Sequence, residues 1–127
     1  MKITSFNPLI VTKDADAAVA LFEALGFKRA HSISAVENNG TEIKNVTLRN
    51  AEGFSVDVSA APVPKDITLI RMNVDNFDEA LAFLTEKGFK NVKGTDETLD
   101  TRTNRSAMIV SPSGFAFDLC QHIKDND

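Results

Sequence analysis

The chain alternates strand-like and helix-like patterning, and the same order of elements comes round twice. Residues 5–11 read as an extended segment. Ala18, Leu21, Phe22 and Leu25 then fall at i, i+3, i+4 and i+7, the spacing that draws one apolar stripe along a helix. Asp14 or Asp16 stands where it can cap that helix, since a short side-chain oxygen accepts from the N–H groups that a first turn leaves over. Three short strands follow, at 30–36, 42–49 and 54–59. Asn39-Gly40 between the first two reads as a hairpin turn, because both residues tolerate positive φ. In the second half, 67–74 reads as extended, and Phe77, Ala80, Leu81 and Leu84 repeat the helical spacing. Asn76 with Glu79 three residues later forms an N-terminal cap signature. Strands are expected at 97–101, 107–110 and 115–121.

The two halves also share residues. Gly26-Phe27-Lys28 returns 62 residues later as Gly88-Phe89-Lys90, and Asp16, Ala18 and Ala20 match Asp78, Ala80 and Ala82 at the same offset. Gly53-Phe54, with Val56-Asp57-Val58, returns after 61 residues as Gly114-Phe115, with Phe117-Asp118-Leu119. Two matches in the same order at nearly the same spacing indicate duplication of a module of about 60 residues. Such a module is short for an independent domain, so the two are expected to share one domain. The first covers about 1–61 and the second about 67–123. Ala61-Pro62-Val63-Pro64-Lys65 makes 61–66 an extended linker, because proline does not pair in a sheet interior. The polar residues 124–127 are expected to fray.

Composition narrows the function without naming it. Fourteen Lys and Arg against eighteen Asp and Glu give a net charge of −4, which argues against nucleic acid as a partner. The lone Cys120 excludes a disulfide scaffold and fits a reducing cytoplasm. No apolar run approaches the roughly 20 residues of a membrane span, and the first residues lack the apolar core of a signal peptide.

The order βαβββ, twice, with a proline-containing joint, resembles the vicinal oxygen chelate superfamily of glyoxalases, extradiol dioxygenases and bleomycin- and fosfomycin-resistance proteins. The most specific matching pieces are Leu21-Phe22-Glu23-Ala24-Leu25-Gly26-Phe27 and Ser111-Pro112-Ser113-Gly114-Phe115-Ala116-Phe117-Asp118-Leu119. The resemblance covers nearly the whole chain. It implies an α+β fold in which two tandem modules form a cup-like curved mixed sheet, with helices outside and a ligand site inside. It also implies a homodimer.

Metal-dependent members of that family hold a divalent ion with a His or similar residue on the first strand of each module and a Glu on the last. Here the first-strand position falls on Phe6 or Asn7, and its counterpart on Thr68 or Leu69. The last-strand positions are Asp57 and Asp118, one methylene shorter than Glu. Tight zinc or nickel binding prefers imidazole and a fuller ligand set, so no metal or other cofactor is expected.

Strand alternation places Ser55, Asp57 and Ser59 on one face, and Ala116, Asp118, Cys120 and His122 on the corresponding one. The opposite faces, Phe54, Val56 and Val58 with Phe115, Phe117 and Leu119, are expected to pack on the helices. Leu69, Arg71 and Asn73 form one row of their strand, with Arg71 near Asp57 and Asp118 if that row faces the cup. The guanidinium then supplies positive charge where metal-bearing relatives hold an ion, or it belongs to an internal ion-pair network. Arg102 and Arg105 either close over an anionic ligand or form a solvated connection. His31, His122 and Cys120 read as ordinary strand residues rather than as an acid, a base or a nucleophile.

The expectation is a metal-independent small-molecule binding protein of the glyoxalase and bleomycin-resistance type. Its unidentified, anionic ligand would meet Asn7, Asp57, Leu69, Arg71, Asn73 and Asp118. Two alternatives stand beside it. One is a metal-dependent lyase, isomerase or dioxygenase with atypical ligands that include the two aspartates. The other is a structural or regulatory domain whose cup is filled by its own side chains.

Overall fold

A computed structural model describes residues 1–36, 42–92, 99–100 and 104–122. The Asn39-Gly40 turn, Arg102, most of the expected strand at 97–101 and the tail at 124–127 lie outside these. The elements are β1 (Ile3–Thr12), α1 (Ala15–Ala24), β2 (Lys28–Val36), β3 (Glu42–Arg49), β4 (Ser55–Ala60), β5 (Ile67–Val74), α2 (Phe77–Glu86), β6 (Lys90–Asn91), β7 (Leu99–Asp100), β8 (Asn104–Val110) and β9 (Ala116–His122). The class is α+β, and the order is βαβββ twice. In the second copy, the place of β2 is taken among the described residues by the two-residue strands β6 and β7.

The chain forms two compact units. One is Asn7–Leu69. The other joins Met1–Phe6 to Ile70–Asp127, so β1 gives its first residues to one unit and the rest to the other.

In the Asn7–Leu69 unit the strand order is β2-β3-β4-β1, with β1 parallel to β4 and the other pairs antiparallel. Helix α1 starts where the Asp14 side chain accepts from the Ala17 N–H at 3.2 Å. It stops at Gly26, whose φ of +102° suits a residue without a Cβ, and the Phe27 N–H then closes back on the Phe22 carbonyl at 3.0 Å. Val19, Leu48, Val56 and Val58 make the core, with Ile10, Ala15, Ala18, Phe22, Phe27 and Val46 packed around it.

Two details depart from the sequence reading here. Leu21 and Leu25 are more than half exposed, and the buried helical residue is Val19. The helix ADAAVALFEA is apolar nearly all round, so its spacing does not single out the face that turns inward. Phe54 is also exposed. It belongs to the turn before β4, where strand alternation does not yet apply.

In the other unit the order is β1-β5-β9-β8-β6, with β7 also on β8. Asn76 caps α2 by accepting from the Glu79 N–H at 3.1 Å. The Gln121 side chain accepts from the Phe77 N–H at 2.7 Å and donates to the Asp75 carbonyl at 3.1 Å, which ties the first turn to β9. Phe77, Ala80 and Leu84 join Met72, Val74, Ala107, Ile109 and Leu119 in the core. Phe115, like Phe54, is exposed and precedes its strand. The Met1 amine donates to Glu79 Oε1 at 2.7 Å, and that bond raises its pKa above the usual 8.0.

Candidate functional site

Each unit presents one strand carboxylate at the same place in the ladder. In the Asn7–Leu69 unit, Leu9 and Thr47 are the in-register neighbours of Asp57 on either side. In the other, Arg71 and Met108 are the in-register neighbours of Asp118. The turn before each carboxylate strand repeats as well. The Asn50 N–H donates to the Phe54 carbonyl, and the Ser111 N–H to the Phe115 carbonyl. The duplication read from short sequence matches is therefore a duplication of pairing register.

The chemistry around the two carboxylates differs. Asp57 is 4% exposed. Asn7 Nδ2 donates to its Oδ2 at 2.9 Å, and the Thr47 hydroxyl donates to its Oδ1 at 2.6 Å. Both oxygens are thus satisfied, which an ionised carboxylate at this depth requires. Asn7 therefore takes the first-strand position that alternation left open between it and Phe6. The Phe6 ring instead meets Phe117 edge-on at 6.5 Å.

Asp118 accepts from Arg71 Nε at 2.9 Å, with the two side chains 14% and 16% exposed. One residue to either side, Met72 and Leu119 turn to the core with α2, so Arg71 and Asp118 lie on the opposite face. Asn73 and Ser106 are the neighbours of Cys120 in the next row of that face. Asn73 Nδ2 donates to Ser5 Oγ at 2.8 Å. Cys120 is buried, and its thiol lies 3.7 Å from the Asp118 carbonyl. Leu69 is buried in the Asn7–Leu69 unit.

Of the six expected ligand residues, the structure joins Asn7 to Asp57 and Arg71 to Asp118, and ties Asn73 to Ser5. Sequence reasoning missed Thr47, Ser5 and Met108. Thr47 and Met108 were legible in principle: a tight turn closed between 50 and 54 pairs 47 with 57, and one closed between 111 and 115 pairs 108 with 118. Arg105 is held within its own unit. Its guanidinium donates to Asp78 at 2.9 Å and lies 4.8 Å from the centre of the Phe77 ring. His122 is an exposed residue at the end of β9.

The donor set does not suit a divalent ion. A cation at Asp118 would face the Arg71 guanidinium, a like charge at contact distance. At Asp57 the two oxygens already accept from Asn7 and Thr47, which are neutral amide and hydroxyl groups and add no anionic ligand. Among the described residues, no three His, Cys, Asp or Glu side chains gather as a metal centre would need.

No helix among the described residues is long and apolar enough to cross a membrane. The sequence matches no protein-family model and no curated protein. Solved structures do match. Methylmalonyl-CoA epimerase from Mycobacterium tuberculosis superposes with a TM-score of 0.69 at 14% identity, over 96% of this chain and 90% of that one. A glyoxalase/bleomycin resistance protein/dioxygenase superfamily member from Vibrio splendidus gives 0.58 at 18% identity, over 94% and 99%. A glyoxalase I mutant from Zea mays gives 0.63 at 14% identity, over 98% of this chain and 45% of that one. The chain has the glyoxalase/bleomycin resistance/dioxygenase fold, the fold its sequence resembles.

Proposed function

We propose that this chain is a metal-independent small-molecule binding protein of the glyoxalase and bleomycin-resistance type. Its recognition groups are Asn7, Asp57 and Leu69 in one unit and Arg71, Asn73 and Asp118 in the other. One observation carries the reading. Both last-strand carboxylates, which metal-dependent members of the fold use as ligands, are engaged by donors from their own units: Asp57 by an amide and a hydroxyl, Asp118 by a guanidinium. A fold supports many chemistries, so the names of its structural neighbours transfer no reaction to this chain. Binding without a metal needs only the hydrogen-bonding groups that the strands supply.

Native mass spectrometry of untagged protein purified without chelator tests the reading. An organic adduct on a metal-free mass supports it and identifies the ligand chemically. A stoichiometric metal adduct, lost when Asp57 or Asp118 is changed to Asn, overturns it in favour of a metal-dependent enzyme. The same spectrum reads the oligomer, for which the homodimer is the expectation.

A further inference from the structure

Helix α1 turns an apolar face to water. Ala17, Ala20, Leu21, Ala24 and Leu25 stand at i, i+3, i+4, i+7 and i+8, and all five are exposed. Leu21 is 57% and Leu25 65% exposed, while Val19 holds the other side of the helix in the core. The duplication supplies a control. At the offset of 62 the same positions on α2 are Glu79, Ala82, Phe83, Glu86 and Lys87, which are exposed as well. Three of these five are charged, and the Lys87 ammonium lies 5.4 Å from the centre of the Phe83 ring. The fold therefore accepts charge on the outer face of this helix, and α2 has it. On α1 the same face is apolar from end to end, which folding does not require. Two leucines and three alanines side by side in water forgo the free energy that burial would return.

We infer that this face of α1 is an interaction surface for a second copy of the chain, the two α1 helices packing antiparallel about a two-fold axis. Charge selects the partner and the direction. Asp14 and Asp16 stand at the start of α1, and Lys28 and Arg29 just past its end, all exposed. Lys13 and Glu23 lessen this asymmetry without reversing it, and Glu23 already lies 3.7 Å from Arg29. An antiparallel pair crossing at Leu21 brings the acidic end of each helix to the basic end of the other, twice over by symmetry. It also opposes the two helix dipoles. A parallel pair sets like ends together. The face also fits itself in shape, since its alanines leave space for the leucines of the other copy. A helix of ten residues spans about 15 Å, so the contact is smaller than the roughly 800 Å² per partner of a standard interface. The dimer is therefore reversible and concentration-dependent. The inference does not rest on the binding reading, and it gives the expected homodimer a surface.

Sedimentation velocity of the full chain from about 1 µM to about 1 mM is the test. A monomer–dimer equilibrium within that range is the expected result. Ala17→Glu/Ala24→Glu/Leu25→Lys gives α1 the charges that α2 carries at the same positions. That variant is expected to stay monomeric throughout while keeping the circular dichroism of the parent. Charge at the rim gives a second readout that leaves the apolar face intact, and it keeps the test decisive if the triple variant does not fold. Asp16→Lys puts like charges together at both ends and is expected to weaken the dimer about tenfold. Asp16→Lys/Lys28→Glu exchanges the charges of the two ends and is expected to restore it, whereas parallel packing predicts no restoration. A chain that stays monomeric up to about 1 mM overturns the inference. A dimer that persists in a folded triple variant also overturns it and moves the interface to another face. Failure of Lys28→Glu to restore the dimer overturns the antiparallel arrangement.

Discussion

The Arg71–Asp118 pair should be energetically coupled in a way that an exposed pair of equal length is not. Arg71 Nε and Arg105 Nη1 each lie 2.9 Å from their carboxylate partners. Burial separates the two pairs: the Arg71 and Asp118 side chains are 16% and 14% exposed, those of Arg105 and Asp78 are 35% and 76%. For charges about 4 Å apart at an effective dielectric constant near 20, the gross attraction is about 4 kcal/mol. Desolvation removes much of that, so a coupling of about 1–3 kcal/mol is expected for Arg71–Asp118. The Arg105–Asp78 pair, screened by water, should couple by about 0.5 kcal/mol or less. Urea denaturation of parent, Arg71→Leu, Asp118→Leu and the double variant gives the first coupling, and the matching alanine variants of Arg105 and Asp78 give the second. The Arg71→Leu/Asp118→Leu protein should be nearer the parent in stability than either single variant, since neither charge is left alone. Equal couplings for the two pairs would refute the claim that Arg71 sits in a desolvated, pre-oriented pair.

Three further outcomes follow from the geometry. Gly26→Ala and Gly88→Ala both place a Cβ at positive φ, at a cost of about 1–2 kcal/mol. Only at Gly88 does the new atom also meet Pro112, 2.8 Å from its Cγ, so that variant should be the less stable of the two in thermal unfolding. Thr47→Val removes the hydroxyl donor from a buried carboxylate oxygen, so a loss of about 1–3 kcal/mol is expected by urea denaturation. The Met1 amine is stabilised in its charged form by Glu79, so its folded pKa lies above its unfolded one. Its contribution is complete below pH 8.0 and is lost as the pH rises through the higher folded value. Thermal unfolding across that window should therefore show a smaller alkaline drop for Glu79→Gln than for the parent.

Much of the scaffold was legible because its signals are local. The strands at 42–49 and 67–74 end where the structure ends them, and Asn76 caps α2 as its spacing with Glu79 implies. The rows of β5 were legible too: Met72 and Val74 turn to the core, and Arg71 lies on the other face beside Asp118. What was not legible depends on register between strands. Alternation along β1 could not choose between Phe6 and Asn7, because the choice is made by the pairing of Leu9 with Asp57. Nor could it show that Asn7 and Thr47 close on one carboxylate. The inward face of α1 stayed hidden for a different reason. A helix carrying alanines, Val19, Leu21 and Phe22 on all sides leaves its orientation to the sheet it packs on.

The central claim is that this copy of the fold binds its ligand without a metal. Calorimetric titration of the chelator-treated protein with zinc, nickel and magnesium tests it most directly. The account predicts no stoichiometric, saturable binding of any of the three ions, and no difference between the parent and an Asp57→Asn/Asp118→Asn variant. One ion bound per chain at micromolar concentration, and lost in that variant, would contradict it.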